Sequence, residues 1–116
     1  YLIRTPFDSK YDDLISIFRE KRAAKGIKTI ALTPATPHAK QYAVDGTDEK
    51  YLFERTMIPL DAYKSPVEIM IYGKKVALIS YGEEEIAMLI TSPPIAAAFR
   101  ELFLMLQDYW RRQKVE

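Results

Sequence analysis

The stretch VEIMIYGKKVALIS, residues 67–80, constrains the chain more than any other. Two apolar, β-branched runs, VEIMIY (67–72) and KVALIS (75–80), are separated by only Gly73 and Lys74. A two-residue Gly-X connection suits a type II′ turn, whose first position has positive φ and whose twist matches that of the flanking strands. The pair therefore reads as an antiparallel hairpin. YGEEE makes a second turn, and IAMLIT (86–91) a third consecutive strand. All three runs are almost continuously apolar. That predicts cover on both faces, from helices on one side and from another layer or subunit on the other.

The remaining segments supply helices and further strands. YLIRT (1–5) alternates weakly, as a strand does, and IKTIAL (27–32) is a strand entered directly from Gly26. Between them, Tyr11, Leu14, Ile15 and Phe18 fall at helical spacing. Asp8 or Ser9 can cap the start of that helix, and Gly26 suits the residue past its end. Arg19, Lys21, Arg22 and Lys25 make its last turns basic, which favours a helix C-terminus and reads as a solvated face. TPATPHAKQYAVDGTDEK (33–50), with two prolines and little periodicity, reads as a long loop, and YLFERTMI (51–58) as a strand stopped by Pro59. In the last segment Ser92 is a capping residue and Pro93 suits the first helical position. Ile95, Phe99, Leu102, Phe103, Leu106, Tyr109 and Trp110 then form one wide apolar stripe. Leu104 and Met105 lie off it, so the helix is apolar most of the way round. Its second side either meets a partner subunit or leaves two apolar residues exposed. The sum is an α/β domain, a mixed sheet of about five to six strands with two main helices.

Composition narrows the function classes. At 116 residues the chain is one domain, 1–116, with 48% hydrophobic and 28% charged residues, the balance of a folded globular protein. It has no cysteine and one histidine, which leaves no disulfide and no thiolate or His-rich metal site; no cofactor is expected. A formal charge of +1 argues against a broad nucleic-acid footprint. No run is long and apolar enough to span a bilayer and no signal peptide opens the chain, so the expected location is cytoplasmic. The start at Tyr1, in apolar YLI, suggests a piece of a longer protein or a processed one. Glu83, Glu84 and Glu85 are a solubilising turn, since consecutive carboxylates there need not converge on a metal.

One motif speaks for chemistry. His38, Lys40 and Asp45 in PHAKQYAVDG fit H-x-K-x-x-x-x-D, which resembles the catalytic signature of the phospholipase D superfamily. In that superfamily the His and Lys alternate along a strand, the Asp follows at a turn, and G-S-x-N comes behind. Here the triplet precedes any strand of that kind and no G-S-x-N follows it.

The order and pattern of the whole chain carry a second resemblance. REKRAAKGIKTIALTP, ERTMIP, IMIYGKKVALIS and AAAFRELFLMLQDYW together resemble the C-terminal effector domain of TrmB-like transcriptional regulators, a catalytically silent half of a phospholipase D-like fold. The resemblance covers nearly all of the chain. It would place the catalytic strand at SPVEIMIYG, where Ser65, Val67 and Tyr72 occupy the positions of His, Lys and Asp. Valine cannot act as a phosphate-binding cation, and serine without a base is a poor nucleophile. The resemblance therefore implies a non-catalytic domain that senses a small molecule, mediates dimerisation, or both. DNA would be read by a winged helix-turn-helix N-terminal to this segment, and a sugar effector is one option. Candidate ligand contacts are His38, Arg55, Tyr72 and Ser80, with Glu54 or Asp61 as ion-pair partners for Arg55. Candidate dimer contacts are Leu104, Met105 and Trp110. The alternatives are a phosphodiesterase or nuclease using His38 across a dimer, and an oligomerisation module without a ligand.

Overall fold

The computed structural model describes residues 1–6 and 12–113, with the side chains of 12–16 and 18 excepted. Along the chain run β1 (Leu2–Ile3), α1 (Asp12–Ala24), β2 (Thr29–Pro34), α2 (Pro37–Val44), α3 (Thr47–Lys50), β3 (Phe53–Ile58), β4 (Val67–Tyr72), β5 (Lys75–Tyr81), β6 (Glu85–Thr91) and α4 (Pro93–Arg112). The six strands form a single mixed sheet in the order β3-β2-β1-β4-β5-β6. The first three are mutually parallel, with the helical crossovers that parallel neighbours need, and the last three form an antiparallel meander. Two-residue β1 joins the halves, pairing with β2 through Leu2–Ala31 and with β4 through Leu2–Met70.

The hairpin forms as the turn chemistry requires. Tyr72 pairs with Lys75, and Gly73 sits at φ +57° while Lys74 keeps a negative φ, the signature of type II′ rather than I′. The expected caps of α1 at Asp8 and Ser9, and its apolar stripe at Tyr11, Leu14, Ile15 and Phe18, lie outside the described side chains. Residues 33–50 are not a loop. Thr36 caps α2 by accepting from the Ala39 N–H at 3.1 Å, Pro37 occupies the first turn, and Gly46 at φ +89° reverses the chain into α3.

One face of the sheet is packed by α4. Leu32, Ile58, Ile71 and Val76 from four strands meet Ala96 and Phe103, and the Phe103 ring lies 4.8 Å from that of Tyr1. Helix α4 starts beside the β4–β5 turn, where the Ser92 N–H donates to Lys74 O at 2.9 Å. It ends at β3, where Arg111 donates to Glu54 at 2.9 Å. It thus crosses the strands instead of following one. Its inner stripe is Ala96, Phe99, Phe103, Gln107 and Trp110, and this corrects the expected stripe. Ile95, Leu102, Leu106 and Tyr109 are exposed, because a small alanine and a glutamine hold inner positions that hydrophobicity alone assigns to their neighbours. Within this chain, neither face of the last strand is covered. Ile86, Met88 and Leu89 of β6 are each more than half exposed, and they alternate between the two faces.

Candidate functional site

The H-x-K-x-x-x-x-D triplet lies on a helix. His38 and Lys40 are both exposed on α2, and two residues along an α-helix turn through about 200°, so the two side chains diverge. Asp45 ends the same helix, and its carboxylate accepts from the Thr47 N–H at 2.9 Å. Hydrogen bonds from Thr47 hold that carboxyl below the usual carboxylate range. The His38 ring lies 6.1 Å from that of Tyr42, one turn on, centroid to centroid. The strand arrangement that aims a His and a Lys into one site is absent from this segment.

The four expected ligand residues do not converge. Tyr72 and Ser80 stand five ladder positions apart, about 17 Å, and alternation puts them on opposite faces of the sheet. The Ser80 hydroxyl accepts from the Gly82 N–H at 3.4 Å, a local turn contact. Arg55 on β3 does pair, but with neither expected partner. Its Nε and Nη2 donate to the two oxygens of Asp48 on α3 at 2.8 and 2.9 Å, and its guanidinium lies 4.6 Å over the Phe53 ring. Both side chains of this bidentate pair are largely buried, at 9% and 14% exposure.

What the fold brings together at the β3 edge is Glu54 with Trp110 and Arg111; alternation turns the Arg55 side chain to the face away from Ile58 and α4. A shallow cleft of about 380 Å³ runs along the outer edge of β3, lined by Glu54, Arg55, Thr56, Met57, Trp110, Arg111 and Gln113. Strand β3 supplies one wall and the last turn of α4 the other. Glu54 is bridged by Lys28 and Arg111, each at 2.9 Å, and the Lys28 hydrogen bond is the main cause of its lowered carboxyl pKa. Trp110, half-buried, makes an edge-to-face contact with Tyr109 at 4.8 Å. An aromatic platform beside paired charges can hold a small polar molecule by stacking and by hydrogen bonds. Leu104 and Met105 do not share this cleft; both are exposed elsewhere on α4.

A second polar group was not anticipated from the sequence. Glu68, on the face opposite α4, is buried, with Arg4 Nε at 3.8 Å and the Tyr81 hydroxyl donating at 3.5 Å. A carboxylate inside an otherwise apolar strand was the available signal, but its partners follow from strand order. Arg4 and Glu68 continue the register of Ile3 with Ile69. Among the described residues, no group of three His, Asp or Glu side chains could hold a metal ion, and no helix is long and apolar enough to cross a membrane.

The fold so described is a mixed six-stranded α/β sheet with one crossing helix on its face. No family model matches the sequence, and no curated protein does. Among solved structures the chain is similar to TrmBL2, an archaeal chromatin protein whose structure shows a novel mode of DNA binding. The TM-score is 0.58 at 21% identity, over 96% of this chain and 42% of TrmBL2. At that identity the likeness establishes the fold, and the chain spans about two fifths of the length of this neighbour.

Proposed function

We propose that the chain is the effector domain of a TrmB-like transcriptional regulator, without catalysis of its own, joined in the whole protein to a DNA-reading winged helix-turn-helix. The observation that carries this reading is the coverage. Almost the entire chain takes the fold of part of a DNA-binding chromatin protein, with the larger share of that protein left over. The divergence of His38 and Lys40 on α2, and the valine and serine at the start of β4, support a role in binding over phosphodiester chemistry. In this reading the β3-edge cleft takes the small-molecule effector, with Trp110, Arg111 and Glu54 as contacts and Arg55 held in place by Asp48. His38, Tyr72 and Ser80 lie apart from it. Dimerisation is the second role, since two-fold related readers match palindromic half-sites.

Trp110 is the only tryptophan, so it reports on its own cleft. A panel of mono- and disaccharides and other polar metabolites is titrated while Trp110 emission and thermal unfolding are followed. A binder raises the midpoint in proportion to RT ln(1 + [L]/Kd) and shifts the emission, and Trp110→Phe abolishes the spectral response. A panel without effect on either signal favours an oligomerisation module without a ligand. A gene with no helix-turn-helix upstream of Tyr1 would refute the regulator reading, and hydrolysis of a phosphodiester that is lost in His38→Ala would replace it with the enzymatic one.

A further inference from the structure

Strand β6 is the least protected element of the sheet. It is an edge strand, and Ile86, Met88 and Leu89 expose 51%, 54% and 55% of their surface. Ile86, Met88 and Ile90 lie on the face that α4 crosses, and Ala87 and Leu89 on the other. No lysine or proline stands between 86 and 90, the usual devices by which an edge resists pairing.

The type II′ turn fixes which backbone groups are free. Tyr72 and Lys75 flank it as a hydrogen-bonded pair, so on β5 every second residue from Lys75 bonds to β4 and the residues between bond to β6. Tyr81 N–H donating to Pro66 O at 2.8 Å and Ser92 N–H donating to Lys74 O at 2.9 Å follow the same alternation. On β6, therefore, Ile86, Met88 and Ile90 are bonded inward to Ser80, Leu78 and Val76. Ala87 and Leu89 turn their N–H and C=O groups outward, to the open edge.

Helix α4 adds to this surface. Arg100 and Arg111 reach Gly73 O and Glu54 at one end of the sheet, so the opposite flank of the helix looks along the strands over the face it leaves uncovered. That flank carries Ile95, Leu102 and Tyr109, exposed by 41%, 55% and 54%. Ile86 and Met88, like this flank, expose apolar surface on the α4 face, and Leu89 exposes its own on the other. An edge strand that is apolar on both faces and carries no guarding charge between 86 and 90 is a pairing surface.

We infer that the β6 edge is the seat of a second copy of this chain, paired antiparallel about a two-fold axis at Met88, so that the two sheets become one sheet of twelve strands. In that register Ala87 exchanges both hydrogen bonds with Leu89 of the second copy, and Leu89 with its Ala87. Met88 faces its own copy as a non-hydrogen-bonded pair. Glu85 falls opposite Thr91 and not opposite another Glu85, so no like charges meet across the axis. A lone polar peptide would satisfy the edge but set nothing apolar beside β6; in this register a second copy sets its Ile90 beside Ile86, its Met88 beside Met88 and its Ala87 beside Leu89. The inference rests on the dimerising role proposed above and moves the interface from Leu104 and Met105 to β6.

The absence of cysteine gives a direct test. A non-hydrogen-bonded antiparallel pair has Cα atoms about 4.5 Å apart, within disulfide range. The 116-residue chain carrying Met88→Cys is mildly oxidised beside Met105→Cys, and the masses of wild type and the reduced variants are measured by light scattering at about 100 μM, well above the Kd of a stable dimer. The expected result is dimeric mass, near-complete crosslinking through Met88→Cys, little through Met105→Cys, and monomeric mass for Leu89→Lys with its circular dichroism unchanged. A dimer that crosslinks through Met105→Cys and not Met88→Cys overturns the surface but leaves the dimerising role intact. Monomeric wild type overturns both. Effector binding in the β3-edge cleft, on the far side of the sheet, is measured separately and stands or falls on its own.

Discussion

Leu52 offers a test in which the ordinary ranking of two substitutions should reverse. Among the described residues it is the one non-glycine in the left-handed region, at φ 56°. Its surroundings hold it there. Its carbonyl accepts from the Thr29 N–H at 2.9 Å, its N–H donates to Glu49 O at 3.3 Å, and Arg22 donates to the neighbouring Tyr51 carbonyl at 2.7 Å. A residue with a Cβ pays about 1–2 kcal/mol in this conformation, whereas glycine does not. Leu52→Ala and Leu52→Gly lose the same side-chain packing, so their difference isolates the backbone. Glycine gives back about 0.5–1 kcal/mol through its freer unfolded chain. The net expectation is that Leu52→Gly exceeds Leu52→Ala in stability by about 0.5–1 kcal/mol, or about 2–5 °C in Tm for a chain of this size. At ordinary helix or strand positions the order is the opposite. Urea denaturation followed by circular dichroism, with the slope m unchanged between the two variants, is the assay. Alanine equal to or better than glycine would refute the left-handed assignment and the account of the Arg22 clamp.

Three further outcomes follow from the packing and the charges. Phe103→Ala empties the fully buried centre of the face under α4 and is expected to cost about 3–5 kcal/mol by chemical denaturation, enough to leave a marginal domain partly unfolded. A double-mutant cycle on Arg55→Ala and Asp48→Asn should give a coupling of about 1–3 kcal/mol, and a coupling near zero would mean that the bidentate pair is not formed in solution. The folded-state carboxyl pKa of Glu54 is lowered, so its contribution is fully present above the ordinary carboxylate range and lost as pH falls through the lowered value. Wild type and Glu54→Gln should therefore differ in urea midpoint at neutral pH and converge in acid; a difference that persists at acid pH would remove Glu54 from the account.

Much of the architecture was legible because its signals are local. The Gly73-Lys74 turn, the Ser92 cap, whose hydroxyl accepts from the Ile95 N–H at 3.3 Å, and the three β-rich runs after Pro66 each act within a few residues. Residues 33–50 were misread although Thr36-Pro37 is a helix start. Helix α2 is only two turns long and buries only Ala39, so it shows no apolar period. Helix α4 was placed correctly but rotated, because Gln107 is buried while Leu102 and Leu106 are not. The candidate site was scarcely legible. Arg55 meets Asp48 because α3 folds back beside β3, and Arg111 meets Glu54 because α4 crosses the sheet to its far edge. Neither contact has a sequence spacing that announces it.

The two-residue strand β1 has a kinetic consequence. Its partners on the β4 side lie some seventy residues away, as the Ile71 N–H donating to Tyr1 O at 2.8 Å illustrates, while β4, β5, β6 and α4 are contiguous in the chain. Closing a loop of that length is entropically costly, so local structure has the advantage in time. We expect the meander and its helix to gain amide protection first and the seam through Leu2 and Ile3 last, in pulse-labelled hydrogen exchange; simultaneous protection of both halves would contradict this order. A load applied at Tyr1 would then reach the middle of the sheet through the segment that forms latest and is shortest.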